Sequence, residues 1–149
     1  TKGAVEAKQQ ELRTLLEVDI PKTLKGLNAA AAEGDLRENF EYHMLRDRQE
    51  LQSARAAKIQ EELTQVRILK PGSADASAVN IGTVVHLEDK DGNPLEPITI
   101  LGAWDADLDR RIFANGSELA QRMLGRTPGD EVEIEDGFAI ITRIEPWNG

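Results

Sequence analysis

Two stripes of residues with helical spacing, apolar except for Gln49 and Gln52, run through the first half of the chain, and only a short segment separates them. The first stripe consists of Val5, Leu12, Leu16, Leu24, Leu27 and Ala31, and the second of Leu45, Gln49, Gln52, Ala56, Ile59, Leu63 and Val66. The steps of four and three residues in the second stripe are typical of a seam between paired helices. Because the connection around Gly34 is short, neighbouring helices must run antiparallel. Residues 1–72 therefore predict a coiled-coil hairpin with arms about 45 Å long.

A compact helical bundle is the alternative architecture for this half. The segment has few aromatic residues and its apolar stripes are thin, which favours the extended hairpin. Pro21 interrupts the first helix, where its missing N–H group predicts a kink or a short break.

The second half predicts short strands and one helix. A segment rich in Pro, Gly, Ser and Ala, residues 70–80, has the composition of a linker. After it, β-rich runs cover 81–89, 96–103, 130–134 and 138–144, with Phe138 expected in the core of its strand. Ser117 and Gly125 mark the start and stop of a helix over 117–125. The whole chain is therefore predicted as α+β, with an antiparallel sheet carrying one helix in a second domain over 79–149.

The acidic residues are concentrated in the second half. Residues 1–70 hold 12 Lys+Arg against 12 Asp+Glu, whereas residues 71–149 hold 6 against 15. Such a surface repels nucleic acid and favours basic protein partners, so we expect no independent DNA binding.

Several kinds of functional site are excluded or disfavoured because the chain has few or none of the residues that form them. The chain has no cysteine, which excludes disulfides and thiolate zinc sites and is compatible with a cytoplasmic location. Its two histidines, His43 and His86, are far apart in sequence and are expected to be partly exposed polar residues. We also expect no secretory signal and no membrane span.

The connection between the two arms is acidic, and two interpretations of it remain open. Gly34 permits the left-handed backbone that ends a helix. Asp35 as the N-cap of the second helix, with Glu38 three positions later, would form a capping box with a purely structural role. The same spacing places two carboxylates on one side of a helix, where they could share one cation. Mg²⁺ needs more oxygen ligands than two, so such a site would be completed by another protein.

The sequence of this connection resembles the hairpin signature of the GreA/GreB family of bacterial transcription elongation factors. The resemblance is carried by Gly34-Asp35-Leu36-Arg37-Glu38-Asn39, followed by Glu41-Tyr42-His43 and Arg46. Pro21 also lies where the family has a proline. In the second half, Ser117, Ala120, Leu124-Gly125 and Gly129-Asp130 are similar to the pattern of the family's FKBP-like C-terminal domain.

The resemblance implies a monomeric accessory factor that stimulates the endonucleolytic activity of RNA polymerase and is not itself an enzyme. Its hairpin would enter the secondary channel, where Asp35 and Glu38 would help to hold the second Mg²⁺ beside the 3′ end of backtracked nascent RNA. The metal would not be stably bound by the factor alone. Other residues of the hairpin end would contact RNA or polymerase or would order the tip; these are Arg37, Asn39, Tyr42 and Arg46. The arginines could equally be solvated residues in local ion pairs. Docking on polymerase would involve Gly116, Ser117 and Glu118.

The sequence departs from the family pattern in three places. Ala31 replaces a residue that is often basic, and Gly116 and Glu118 differ from the usual neighbours of Ser117. Bulky apolar residues near the tip replace smaller ones; these are Phe40, Met44 and Leu45. These departures leave open a channel binder that modulates or inhibits polymerase without promoting cleavage. A prolyl isomerase is a third alternative, but its site would need an aromatic-lined pocket.

Overall fold

The computed structural model describes residues 1–34 and 39–149. The chain divides into a helical unit, Val5–Arg67, and a β unit that combines Thr1–Ala4 with Ile68–Gly149. The architecture is α+β, with a long helical region followed by a sheet and a short helix. Within the part of the chain that the structure describes, the helices lack the combination of length and apolar character that a membrane span requires.

The first arm of the hairpin is continuously helical but not uniform. It comprises α1 (Lys2–Thr14), a π-helical turn (Leu15–Asp19) and α2 (Ile20–Ala31). The amide of Ile20 donates to the carbonyl of Leu15, five residues earlier, and Pro21 follows in the first turn of α2. The irregularity that Pro21 predicted is thus a widened turn and not a gap, because a π-helical turn accommodates the missing proline donor.

This turn changes which residues of the first arm are buried. The stripe of the first arm was predicted to include Leu16, Leu24 and Ala31, but all three are exposed. Val5 is buried as predicted and Leu12 and Leu27 are half-buried, but the other buried positions are Leu15, Thr23 and Ala30, each one residue before a predicted position. The prediction was wrong here because it assumed a regular helical period, and a π-helical turn contains extra residues.

The second arm, α3 (Phe40–Gln65), follows the predicted stripe. Leu45, Ala56 and Ile59 are buried, and the other predicted stripe positions are half-buried. Ala56 and Ile59 pack with Leu15 of the first arm, and the surrounding partly buried residues are Leu12, Ile20 and Leu63. The seam of the second arm is therefore confirmed.

An ion-pair cluster joins the two arms beside this core. Glu11 of α1 accepts hydrogen bonds from Lys8, at 3.0 Å, and from Arg55 of α3. The hydrogen bond from Lys8, with a further contribution from Arg55, lowers the pKa of Glu11 below its ordinary value. The carboxylate thus stays charged in mildly acidic solution, where it holds the arms together.

The β unit contains one five-stranded sheet with the order β3-β2-β1-β5-β4. The strands are β1 (Thr83–Glu88), β2 (Ile98–Leu101), β3 (Ile112–Ala114), β4 (Glu131–Ile134) and β5 (Gly137–Pro146), and a short helix, α4 (Glu118–Met123), lies between β3 and β4 in sequence. The pairing of β2 with β3 is parallel, so the sheet is mixed and not purely antiparallel as predicted. Strand β3 escaped prediction because three residues are too short to show a period.

The core of the β unit lies between the sheet and α4. Its fully buried members include Val85, Ile98, Ile100, Met123 and Ile141. Phe138 was expected in this core, but 49% of it is exposed, whereas Ala139 is buried. The prediction was wrong because successive side chains of a strand alternate between faces, and here Ala139 takes the inner face.

The segment predicted as a linker is irregular but belongs to the β unit. Val79 is only 2% exposed. Its amide donates to the carbonyl of Arg126 at 2.8 Å, and its carbonyl accepts from the amide of Gly125 at 2.9 Å. Gly82 has a φ of +88°, and an added Cβ there would lie 2.9 Å from a methyl group of Leu69. This part of the chain is therefore packed structure and not a free connection.

Candidate functional site: the end of the hairpin

The acidic pair falls in the connection between the two arms. Asp35, Arg37 and Glu38 lie outside the described residues, so their proposed roles remain predictions. On the first side, α2 ends at Ala31, and the amide of Glu33 donates to the carbonyl of Ala30 at 3.2 Å. Gly34 follows with a φ of +131°, in the left-handed region that its sequence predicted. On the other side, α3 begins at Phe40.

Asn39 bonds to both arms of the hairpin. Its side-chain oxygen accepts from the amide of Tyr42 at 3.0 Å and so caps the start of α3. Its side-chain Nδ2 donates to the carbonyl of Ala30, in the last turn of α2, at 2.8 Å. The Tyr42 amide is one of the groups that a helix start leaves without an internal partner, and the Ala30 carbonyl accepts a second hydrogen bond beside the one from the Glu33 amide. Asn39 therefore closes the hairpin next to the acidic pair, and we call this pair of hydrogen bonds the Asn39 clasp.

The clasp corrects the assignment of the cap. The sequence offered Asp35 as the N-cap of the second helix, whereas the N-cap of α3 is Asn39. An Asn immediately before a helical pattern is a recognisable N-cap signal. It was missed because the Asp35–Glu38 spacing matched a capping box more completely. The carbonyl of Ala30 as a second partner had no signal in the sequence, since it depends on how the two arms pair.

Two other predicted tip residues lie in the first turns of α3. Tyr42 is half-buried, and its ring packs edge-on against that of His43, with centroids 5.6 Å apart. Arg46 follows one turn later and is exposed. The structure thus places Asn39, Tyr42 and Arg46 on consecutive turns leading away from the acidic pair.

The donor set of the connection suits a hard divalent cation. Asp35 and Glu38 would supply carboxylate oxygens, the ligands that Mg²⁺ prefers, but two carboxylates leave most of its coordination positions to other molecules. Among residues 1–34 and 39–149, no group of three or more His, Asp or Glu side chains is placed to hold a metal ion.

A second candidate site is a cavity of about 250 Å³ in the β unit. Apolar and acidic side chains line it around one arginine, and the lining residues are Asp89, Leu95, Glu96, Arg111, Leu119, Ile134, Glu135, Asp136 and Phe138. Phe138 is the sole aromatic residue of this lining, which gives little support to the aromatic-lined pocket of a prolyl isomerase.

Arg111 is unusual in both backbone and side chain. It has a φ of +57°, which is uncommon for a residue with a side chain. Its guanidinium group lies 5.8 Å from the ring centre of Phe113. The Nε atom is buried and, among the described residues, has no hydrogen-bond acceptor. Buried donors of this kind are commonly satisfied by an ordered water. No local pattern around Arg111 indicates such a buried donor.

The predicted docking residues flank the start of α4. Ser117 caps this helix, with its hydroxyl accepting from the amide of Ala120 at 3.3 Å. Glu118 is exposed and forms an ion pair with Arg122 one turn later. Gly116 is exposed, and Leu119, next in sequence, lines the cavity. The loop and the cavity therefore adjoin each other, and whether they bind a partner remains a prediction.

Comparisons with known proteins match both halves of the chain. Residues 1–68 match the family described as "Transcription elongation factor, N-terminal", and residues 61–144 match "Transcription elongation factor, GreA/GreB, C-term". Transcription elongation factor GreA of Wolinella succinogenes is 33% identical over 130 residues, which cover 87% of this chain and 80% of the relative. GreA of Treponema pallidum is 33% identical over 137 residues, covering 92% and 85%. Among solved structures, GreA factor homolog 1 of Thermus thermophilus has 20% identity, covers 94% of this chain and 93% of its own, and gives a TM-score of 0.42.

Proposed function

The chain belongs to the GreA/GreB family of transcription elongation factors, and from this membership we propose that it stimulates cleavage of backtracked nascent RNA by RNA polymerase. The hairpin enters the secondary channel of the polymerase. Asp35 and Glu38 then reach the RNA 3′ end at the active site. The factor is an accessory, because its carboxylates act only beside the ligands of another enzyme.

The observation that carries this proposal is the Asn39 clasp. It joins the last turn of α2 to the first turn of α3, and the acidic pair lies between these two turns in the sequence. A connection whose two ends are fixed loses less conformational entropy when its side chains bind a target. The clasp therefore supports a tip that presents Asp35 and Glu38 to a partner.

The two carboxylates help to hold a Mg²⁺ ion that the polymerase site also binds. When bound there, such an ion supplies an activated water and stabilises the leaving oxygen in phosphodiester hydrolysis. Asp35 and Glu38 contribute negative charge and oxygen ligands to that site. Asn39 and Tyr42 keep the start of α3 ordered, and Arg37 and Arg46 contact RNA phosphate or polymerase.

The β unit docks on polymerase outside the channel. The loop at Gly116, Ser117 and Glu118 adjoins the cavity that contains Arg111, and this combined surface offers apolar area and an acidic rim. A basic and apolar protein segment complements it.

Charge-neutral variants of the acidic pair test the proposal. Asp35→Asn and Glu38→Gln keep the size of each side chain but remove its charge, so stimulated cleavage in a backtracked complex should fall by about 100-fold. The affinity for polymerase should remain within about twofold, because docking uses other surfaces. RNA shortening on a gel measures the first quantity, and competition with labelled wild-type factor measures the second.

Glu33→Gln is the matched control, since Glu33 is an exposed acid of the same connection outside the pair. It should leave cleavage unchanged. Normal cleavage with both Asp35→Asn and Glu38→Gln would show that the pair does not act on the metal.

A second candidate function is a channel binder that blocks or modulates synthesis without cleavage. The observation in its favour is Phe40, which is 80% exposed in the first turn of α3 and adds apolar bulk beside the tip. In the same backtracked complex, shortened RNA supports the cleavage factor, whereas slowed synthesis without shortening supports the modulator.

A further inference from the structure

An exposed apolar surface runs along the second arm from the hairpin end. Phe40, Met44 and Leu51 of α3 are 80%, 43% and 73% exposed. Together with the exposed Asp47 they are separated by steps of four, three and four residues, which places them on one side of the helix. The surface is roughly 16 Å long at a rise of about 1.5 Å per residue. We call these four residues the outer stripe.

The residues buried in the seam between the two arms are not those of the outer stripe. The seam of α3 is formed by Leu45, Ala56 and Ile59, which are buried. With about 3.6 residues per turn, Leu45 lies roughly 140° around the helix from Phe40. A helix side that faces solvent is ordinarily polar, so apolar residues repeated on it indicate a surface that binds something.

The charge on the stripe argues against RNA as its occupant. Asp47 lies between Met44 and Leu51 on the stripe, and its carboxylate repels phosphate, whereas the exposed Arg46 and Arg48 lie about 100° away around the helix. Met44 and Leu51 also lack the flat rings on which bases stack. An apolar protein surface suits these residues better.

The same charge argues against a second copy of the chain. In a two-fold symmetric contact the same patch meets itself. Asp47 lies near the middle of the stripe and would face its own symmetry mate, and like charges in an apolar contact are destabilising. A foreign surface with a basic side chain opposite Asp47 avoids this repulsion.

The geometry points to the outer stripe as a docking surface for the polymerase protein around the inserted hairpin, through an apolar contact with a Lys or Arg opposite Asp47. This inference rests on the proposed function, because it requires that the hairpin enters the channel. The stripe begins at the first residue of α3, directly after the Asn39 clasp. A protein wall that surrounds the tip is therefore adjacent to the stripe. The contacts of the stripe determine the affinity for polymerase, and the acidic pair takes part in the cleavage reaction.

The test uses the full chain and purified bacterial RNA polymerase. The double variant Met44→Ala/Leu51→Ala removes apolar area but keeps strong helix formers, so helical content should be unchanged. Its Kd for polymerase, from competition with labelled wild-type factor, should rise about 10-fold. Asp47→Lys should raise the Kd as well, by an amount that shrinks at high salt. Leu108→Ala is the matched control, because Leu108 is 69% exposed in the β unit, and it should leave the Kd within about twofold.

The outcomes separate this inference from the proposed function. An unchanged Kd for the double variant, with normal RNA cleavage, overturns the role of the stripe and leaves the cleavage factor intact. If the Kd for polymerase is unchanged but the double variant binds a free RNA oligonucleotide more weakly, the stripe binds RNA. If the Kd is unchanged but the double variant has lost self-association in sedimentation, the stripe binds a second copy of the chain. Either result overturns the inference. Wild-type factor that does not bind polymerase at all removes the proposed function and the stripe's role together.

Discussion

Asn39 satisfies one backbone group in each arm of the hairpin, and this double use makes it sensitive to substitution. A hydrogen bond removed from one helix end leaves a carbonyl or an amide to find water. Here the Tyr42 amide of α3 would lose its side-chain acceptor, and the Ala30 carbonyl of α2 would keep only the hydrogen bond from the Glu33 amide. Its amide supplies a donor and an acceptor that point in different directions, and Gln carries the same groups one methylene further from the backbone.

Removal of the clasp should therefore weaken the hairpin and its activity together. Asn39→Ala should lower the free energy of unfolding by about 1–2 kcal/mol, because it deletes an N-cap and a second hydrogen bond. Urea unfolding followed by far-UV circular dichroism measures this change. Cleavage stimulation should also fall, because the acidic connection would no longer be fixed at both ends.

Asn39→Asp separates the two bonds. The carboxylate still caps α3 and suits the positive helix end, but it cannot donate to Ala30. Its stability should lie between those of the wild type and Asn39→Ala. If Asn39→Ala unfolds at the wild-type urea concentration, the clasp does not stabilise the hairpin.

At the level of elements, the two arms differ in how far their sequence determines their packing. In α3 the apolar period is regular, and every predicted seam position is buried or half-buried. In the first arm the π-helical turn (Leu15–Asp19) breaks that period, and Leu15 is buried in place of Leu16. A wide turn leaves no mark in a hydrophobic pattern, although Pro21 shows where irregularity is to be expected.

Two adjacent leucines provide a test of this register. Leu15 is 8% exposed and packs with Ala56 and Ile59, whereas Leu16 is 44% exposed. Leu15→Ala should cost about 2–4 kcal/mol of unfolding free energy, because it leaves a cavity in the seam. Leu16→Ala should change it by less than about 0.5 kcal/mol. Both substitutions replace Leu with Ala, so their effects can be compared directly. If Leu16→Ala lowered the unfolding free energy more than Leu15→Ala in urea, the result would favour a regular helical period and contradict the π-helical register.

The β unit shows the same limit of sequence-based prediction. Strands β1, β2, β4 and β5 and helix α4 lie where alternation, turns and caps predicted them. Strand β3 and the inward position of Ala139 depend on pairing between distant segments, which local patterns do not contain. At the candidate site, the residue types of the Gly34–Asn39 run were enough to predict that it connects the two arms. The Ala30 partner of the clasp and the buried donor of Arg111 arise only from tertiary packing.

At the level of the whole molecule, charge is divided between the two halves of the chain. Residues 71–149 contain 15 of the 27 acidic residues and only 6 of the 18 basic ones. Four of these acids, Asp89, Glu96, Glu135 and Asp136, line the cavity beside the proposed docking loop. Acidic charge is therefore concentrated at the cavity and also spread over the rest of this half. A partner that docks at the cavity and a partner that responds to the total charge should react differently when the cavity acids are neutralised.

Neutralising the rim of the cavity should weaken binding to polymerase more than neutralising other acids. The triple variant Glu96→Gln/Glu135→Gln/Asp136→Asn should raise the Kd about 10-fold at low salt, because it removes three charges that face a basic partner. The Kd of this variant should also depend less on salt concentration, because fewer attractive charges remain for salt to screen. The matched control, Asp75→Asn/Asp109→Asn/Glu131→Gln, changes the net charge equally at exposed positions outside the lining and should shift the Kd by less than about threefold. Competition binding over a range of salt concentrations measures both effects. Equal losses in the two triple variants would mean that the partner senses the overall field of the β unit and does not dock at the cavity.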